Sequence, residues 1–407
     1  MDTKTKVVVA VWFFQVANYL DRVAMSFAGP SMMKSLSMDP GTFGIVLSSF
    51  GVGYFLSQIP GGLLADRWGT RAIMVIGPIF WALFTGATGL VVTLVGFVVV
   101  RACFGVAEGI SNASCYKVIG DNFSSQERAR AVSIWATAFA VAPAFAGPLV
   151  GTILGDYGWQ AVFFLMMIPA LAAAVVNHKL IPAKPAEPAG VAQAGHGEHA
   201  SFGQVLRHPS LWLISLSYFA FNIGYWGYLS WMPTYLSLEH HINVKSIGLL
   251  GGIPYVFALV GLMIAGWLGS GALYRHRLQL LVVMFFCAGL SLYFAYTADT
   301  LPMSLAGLSA AAFFIYGGFG PFGAILLDLA PERYRAAYSG VVSTAGQLGG
   351  VAAPVAIGFL VSATGTFASG FGFMIVGLCV SAACLCALIP FMSAQPRPAV
   401  AATYARQ

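Results

Sequence analysis

The sequence predicts an all-α polytopic membrane protein, with twelve transmembrane helices in two pseudo-symmetric six-helix bundles and both termini in the cytoplasm. Three observations lead there. The 407-residue chain is 58% hydrophobic and only 8% charged, against about 25% charged in a typical soluble domain. Its apolar runs are continuous over lengths near the ~20 residues a helix needs to cross a bilayer. They do not alternate with the period of two that a barrel strand requires. Finally, short motifs of the first half recur about 205 residues later.

The runs span 7–29, 43–65, 72–93, 95–119, 129–154, 159–180, 209–237, 246–270, 278–297, 301–327, 336–363 and 369–393. The first is too long for a cleaved signal and lacks a small-residue cleavage site. Lysine and arginine set the orientation. With the N-terminus inside, Lys4, Lys6, Arg67, Arg71, Arg128, Arg130, Lys179, Arg207, Arg275, Arg277, Arg333 and Arg335 are cytoplasmic, and only Lys34 and Lys245 fall outside. That distribution explains the net charge of +6 by the lipid bilayer alone, and no nucleic acid is needed. Residues 1–181 form the N-terminal bundle, 182–208 a linker rich in Pro, Ala and Gly, 209–395 the second bundle and 396–407 a cytoplasmic tail. The six cysteines all lie in apolar runs without metal spacing and read as small core residues.

The repeat is visible residue by residue. Gly62-Leu-Leu-Ala-Asp66-Arg67-Trp-Gly69-Thr-Arg71 has a weaker partner in Gly266 to Arg275. Glu127-Arg128-Ala-Arg130-Ala131 has one in Glu332-Arg333-Tyr-Arg335-Ala336. Two such halves suit a fold that binds substrate near the midplane between them and rocks one against the other.

Full charges well inside the apolar runs occur in two places. Asp21 and Arg22 sit in Asn18-Tyr19-Leu20-Asp21-Arg22 of the first run, and Arg101 and Glu108 in the fourth. A charge at such depth costs a few kcal/mol or more and marks a functional candidate. Arg101 and Glu108, seven residues apart, share one helix face. Arginine remains a cation at working pH, so Arg22 and Arg101 are the candidate anion ligands, and Asp21 and Glu108 are the candidate proton carriers. With both carboxylates ionised the four groups sum to zero. Protonating one leaves net positive charge, and an incoming carboxylate can then pair with an arginine in bidentate geometry. Differential affinity of this kind is what couples two ligands through one conformational equilibrium. The alternative is two static ion pairs locking the first and fourth helices, although buried pairs stabilise poorly compared with apolar packing. Asn18, one turn before Arg22, is placed to hold it.

Runs seven to twelve carry no charge away from their ends. Their share of a cavity must come from neutral groups: Tyr218, Asn222, Tyr225 and Trp226 on one face of the seventh run, and Ser343 and Gln347 on the eleventh. Tyr225 and Trp226 either wall the site or pack between helices.

Gly62 to Arg71 resembles the loop signature of the major facilitator superfamily. Asn18 to Arg22, Tyr54-Phe-Leu-Ser-Gln58-Ile-Pro60-Gly-Gly and Arg101-x6-Glu108-Gly109 together resemble its anion:cation symporter family, whose bacterial members carry sugar acids, phthalate, tartrate and other organic anions with protons. The resemblance implies an inner-membrane importer of a small organic anion, monomeric, driven by the proton gradient without cofactor or metal, and not an enzyme. It also implies that Tyr54 contacts the anion, that Tyr19 lines the cavity beside Arg22, and that Gln347 offers an amide to substrate. Asp66, Arg67 and Arg71 would latch the outward-facing state with loop charges such as Arg128. Three departures stand out. Phe139 occupies a position that is polar in several sugar-acid carriers, the Phe322-Gly323 region lacks a Trp, and Ser270 replaces an acid in the second loop signature. The first two point to a smaller or more apolar carboxylate. Gly147-Pro148-x-x-Gly151 partly resembles an antiporter signature, so efflux of an organic compound is the alternative reading.

Overall fold

The computed structural model describes residues 1–183, 206–242, 244–331 and 335–393. Most of the linker, Glu332, Arg333 and the whole tail 396–407 lie outside these residues. Every regular element described is a helix. In the first half they are α1 (Thr3–Leu36), α2 (Pro40–Trp68), α3 (Thr70–Thr88), α4 (Leu94–Asn122) and α5 (Ser125–Leu180). In the second they are α6 (Pro209–Glu239), α7 (Val244–Ser270), α8 (Arg277–Thr297), α9 (Leu301–Gly317), α10 (Phe319–Leu329), α11 (Arg335–Thr364) and α12 (Ala368–Ser393). Ten helical stretches among the described residues are long and apolar enough to cross a membrane. One of them, in α5, is broken at Gly158, where φ is 80°. Its two limbs match the expected runs 129–154 and 159–180. Glycine is needed there because a positive φ is costly for a residue with a Cβ.

Local chemistry sets the helix ends. Asp39 caps α2, its carboxylate accepting from the Gly41 and Thr42 amides at 3.0 and 3.4 Å, and Pro40 follows at the first helical position. Gly69, with φ 85°, turns the chain from α2 into α3. At the start of α5 the Glu127 carboxylate takes the Ser124 amide at 3.1 Å and an ion pair from Lys4 at 2.7 Å, which ties the chain's beginning to this helix.

Helices of the two halves meet tightly at one end, along α2 against α11 and α5 against α7. A Cβ on Gly44 would lie 2.7 Å from the Pro354 carbonyl oxygen, and one on Gly248 would lie 2.5 Å from that of Gly147. Ser362 donates to Asp39 at 2.7 Å across the same seam, joining the C-terminal turns of α11 to the cap of α2. The Thr42 and Ser362 hydroxyls hold the Asp39 carboxyl below the ordinary carboxylate range. At the opposite end the charged residues bond within their own half, Arg277 to Asp328 at 3.1 Å in the second and Arg71 and Arg128 in the first. Arg71 donates to the His178 carbonyl at the end of α5, and Arg128 donates to the Phe123 and Gly120 carbonyls at 3.1 and 2.8 Å, closing the end of α4.

Two expectations follow. Lys4 and the Ser124 hydroxyl hold Glu127 down at about 2, below its ordinary 4.5. A lowered carboxylate adds stability that is full above the unfolded value and lost as pH falls through the folded one. Glu127→Gln should therefore lower the melting temperature at pH 6, with the gap to the native protein narrowing from pH 4.5 toward pH 2. A gap that stays constant would show that the carboxylate charge is not its source. Gly248→Val should force α5 and α7 apart, so that a cysteine introduced at Leu47, deep between the halves, is labelled several-fold faster by a polar maleimide. Equal labelling rates would mean that the seam absorbs the side chain.

Candidate functional site

The four intramembrane charges come together on α1 and α4 in the interior of the first half. Being adjacent on a helix, Asp21 and Arg22 point about 100° apart, and the structure uses that divergence. Arg22 faces the space between the halves. Its Nε donates to Glu108 Oε2 at 2.8 Å, an ion pair in which both side chains are at most 5% exposed. Asp21 turns the other way, into the bundle, where Thr85 Oγ1 of α3 donates to its Oδ2 at 3.4 Å. Arg101, one face of α4 away from solvent, is 3% exposed and makes no ion pair among the described residues.

Close packing of α2 on α4 builds the rest. A Cβ on Gly109 would lie 2.6 Å from the Tyr54 carbonyl oxygen, and one on Gly105 would lie 2.8 Å from the Tyr54 amide nitrogen. Any larger residue there would push Phe50 and Tyr54 away from the charges. As it is, the Arg22 guanidinium carbon stands 4.6 Å from the Tyr54 ring centroid, 4.9 Å from those of Tyr19 and Phe50, and 5.6 Å from that of Trp226. Arg101 stands 5.4 Å from the Phe50 ring and 4.6 Å from Phe104. The aromatic faces give two buried cations an attractive surrounding where water is excluded. Asn112 Nδ2 donates to the Tyr54 hydroxyl at 2.6 Å, fixing that ring.

Between the halves lies a small cavity of about 30 Å³, enough for about one or two waters and well below the about 300–1,000 Å³ of ordinary small-molecule sites, so the halves stand closely apposed around it. Arg22, Arg101 and Tyr54 line it from the first half, and Trp226 and Gln347 from the second. Five of the residues singled out in the sequence thus line one cavity. Others fall beside it. Tyr19 lies under Arg22 and shares a 3.2 Å hydrogen bond with Tyr225 across the two halves. Phe139 stacks on the far side of Tyr19, with centroids 5.0 Å apart, and does not line the cavity. Asn222 donates to its own helix at the Tyr218 carbonyl, 2.8 Å, and packs against Gly346 and Gly349 of α11. Ser343 is exposed and outside the lining. Of the latch residues, Arg67 is exposed, Arg71 and Arg128 close helix ends as above, and the Asp66 side chain lies outside the described residues. Asn18 does not hold Arg22; it accepts from Gln15 at 3.4 Å and lies beside Glu108.

Phe50, Ser26 and Ser230 were not singled out in the sequence, yet they line the cavity. Each sits four residues from a residue that was: Phe50 from Tyr54, Ser26 from Arg22, Ser230 from Trp226. Helical spacing carried that signal. Among the described residues no cluster of His, Cys, Asp and Glu is arranged to hold a metal.

Comparison with known proteins agrees with this architecture. Residues 11–354 match the family model described as Major Facilitator Superfamily. The chain is 28% identical to a hexuronate transporter of Bacillus subtilis (strain 168), over 91% of this chain and 92% of that one. It is likewise 28% identical to a probable L-galactonate transporter of Escherichia coli (strain K12), over 97% and 90%. In fold it matches a bacterial homologue of the human lysosomal transporter Spinster in an inward-facing, occupied conformation, with a TM-score of 0.77, 18% identity and 97% of both chains covered. The chain therefore belongs to the Major Facilitator Superfamily, as a multi-pass membrane transporter and not an enzyme.

Proposed function

We propose that this protein imports an organic carboxylate together with protons across the bacterial inner membrane, by alternating access, through twelve crossings with both ends in the cytoplasm. Arg101 is the observation that carries the reading: a buried guanidinium on the wall of the cavity, near Asp21 and Glu108 but with no carboxylate at ion-pair distance among the described residues. A buried cation calls for an anion, and a substrate carboxylate supplies one in the planar geometry that arginine recognises. Relatives named for hexuronate and L-galactonate support that chemical class. Ser26, Ser230, Gln347 and the Tyr54 hydroxyl provide hydrogen-bonding groups for a hydroxylated acid. Phe139 stacks on Tyr19 and is not among the residues that line the cavity, so the expectation of a smaller or more apolar acid loses one of its two supports.

The proton enters through the Arg22–Glu108 pair. With Glu108 ionised, Arg22 is neutralised at 2.8 Å. A proton on Glu108 removes that partner, and Arg22 joins Arg101 in receiving the substrate. When the proton leaves, Glu108 takes Arg22 back and the substrate loses half its grip. Trp226 of α6 lies over the same guanidinium, so the second half senses whether Arg22 is engaged.

Thermal stabilisation of the purified protein against a panel of organic acids at pH 5.5 and 7.5 tests the class, since a ligand of the folded state raises apparent stability by mass action. Sugar acids are expected to shift the melt, and more at pH 5.5. A response only to lipophilic cations would sink the anion reading and favour export. Arg101→Ala should weaken the stabilising acid by about thirtyfold or more, on the scale of about 2–5 kcal/mol for losing a buried charge partner. Glu108→Gln should retain exchange of labelled acid across a liposome membrane but lose accumulation driven by a proton gradient. Accumulation that survives in this variant rules out Glu108 as the proton carrier.

A further inference from the structure

Each buried carboxylate of the first half meets two donors that stand four residues apart on a neighbouring helix. On α3, Thr85 donates to Asp21 Oδ2 at 3.4 Å, and Trp81, one turn earlier, lies beside the same carboxylate. On α1, Arg22 donates to Glu108 Oε2 at 2.8 Å, and Asn18, one turn earlier, lies beside that carboxylate. In both cases one oxygen is bound and the other is not: Asp21 Oδ1 and Glu108 Oε1 have no hydrogen-bond partner. The second donors, Trp81 Nε1 and Asn18 Nδ2, have none either. Trp81, Asn18 and Glu108 are fully buried and Asp21 is 2% exposed, so water in bulk does not satisfy them. An unmade buried hydrogen bond costs about 1–3 kcal/mol per group, and here each orphaned donor stands beside an orphaned acceptor.

We propose that Trp81 and Asn18 are positioning residues for the two proton carriers: each closes on the free carboxylate oxygen when the acid is ionised and releases it when the acid is protonated. The inference rests on the proton-coupled reading above and adds the residues that set the pH at which it operates. A donor favours the ionised acid. The indole N–H donates only, so Trp81 bonds the charged form of Asp21 more strongly than the protonated one, which offers it just a carbonyl oxygen. The Asn18 amide can also turn its oxygen toward a protonated Glu108, and Gln15 already donates to that oxygen at 3.4 Å. The charged and titratable groups around the pair are Arg101 and Glu108 from α4, Arg22 and Tyr19 from α1, and Tyr54 from α2. The N–H groups of Trp81 and Asn18 are neutral donors that act alongside them.

Trp81→Phe removes the N–H and keeps a ring against Phe14, whose centroid lies 5.0 Å away. Asn18→Leu removes the amide at similar volume. An infrared titration of the protonated-carboxyl band on the purified protein reads the two acids without any substrate, with Asp21→Asn and Glu108→Gln assigning the bands. The Asp21 band in Trp81→Phe and the Glu108 band in Asn18→Leu should titrate about half to one pH unit higher, a three- to tenfold gain in proton affinity. The other acid's band should move less. Bands that titrate at the native midpoints in both variants would overturn the proposal while leaving the proton carriers in place. If neither acid titrates between pH 4 and 9 in the native protein, the proton-coupled reading itself fails, and this proposal with it.

Discussion

The ion pair between Arg22 and Glu108 is the interaction on which the rest of the site depends. Two opposite charges held at 2.8 Å in the interior of a membrane protein attract strongly because little solvent screens them. For the same reason neither charge can be left alone. Breaking a buried pair typically costs about 3–5 kcal/mol through the charge that remains. The surrounding structure supplies what the exposed partner of such a pair would get from water. Four aromatic rings face the guanidinium, and glycines on α4 let α2 come close enough to place two of them. An arrangement of this kind is poorly suited to simple stabilisation, for which apolar packing is better. It is well suited to a partner exchange, in which a proton and a substrate carboxylate replace the internal contact.

The two halves divide the work. The first holds all the membrane-interior charge of the described residues and buries it within its own bundle, with Asp21 turned to α3 and Arg22 to the cavity. The second half brings neutral groups: Trp226 over Arg22, Gln347 in the cavity wall, and Tyr225 in a hydrogen bond to Tyr19. Contacts across the midplane therefore pass through aromatic rings that touch the charged site directly. A change in how Arg22 is paired alters how favourably these rings sit. That gives the second half a physical means of responding to events in the first.

The seam at one end of the halves is made of backbone approaching backbone. Where glycines face carbonyl oxygens, as at Gly44 with Pro354 and at Gly147 with Gly248, helices meet without interlocking side chains. Such contacts are close but smooth, and in a membrane interior they draw on dispersion and not on a hydrophobic force. Ser362 adds two polar ties at the rim, donating to Asp39 and accepting from the Gly41 amide. Arg71 and Arg128, at the other end, spend their donors on helix ends within the first half. Among the described residues, neither Arg71 nor Arg128 bonds to the second half.

Helices were legible from the sequence because a continuous apolar run in lipid has no other way to satisfy its backbone. The charged set was legible for a related reason: a charge in such a run is too costly to be incidental. Arg22, Arg101 and Glu108 could be named as a site before any coordinates, and Tyr54, Trp226 and Gln347 could be placed with them by helix face. What the sequence could not decide was direction. Asp21 and Arg22 are neighbours in the chain, yet one faces α3 and the other faces the cavity, and only the packing of α1 against α3, α4 and α5 determines which. Asn222 and Phe139 had the right type and depth but point into helix contacts. Phe50 looked like any core phenylalanine until its ring was found between two guanidinium groups. Burial and charge are properties of residues in a run and can be read along the chain. Which carboxylate meets which arginine depends on the rotation and separation of helices, and those are set by contacts between residues far apart in sequence.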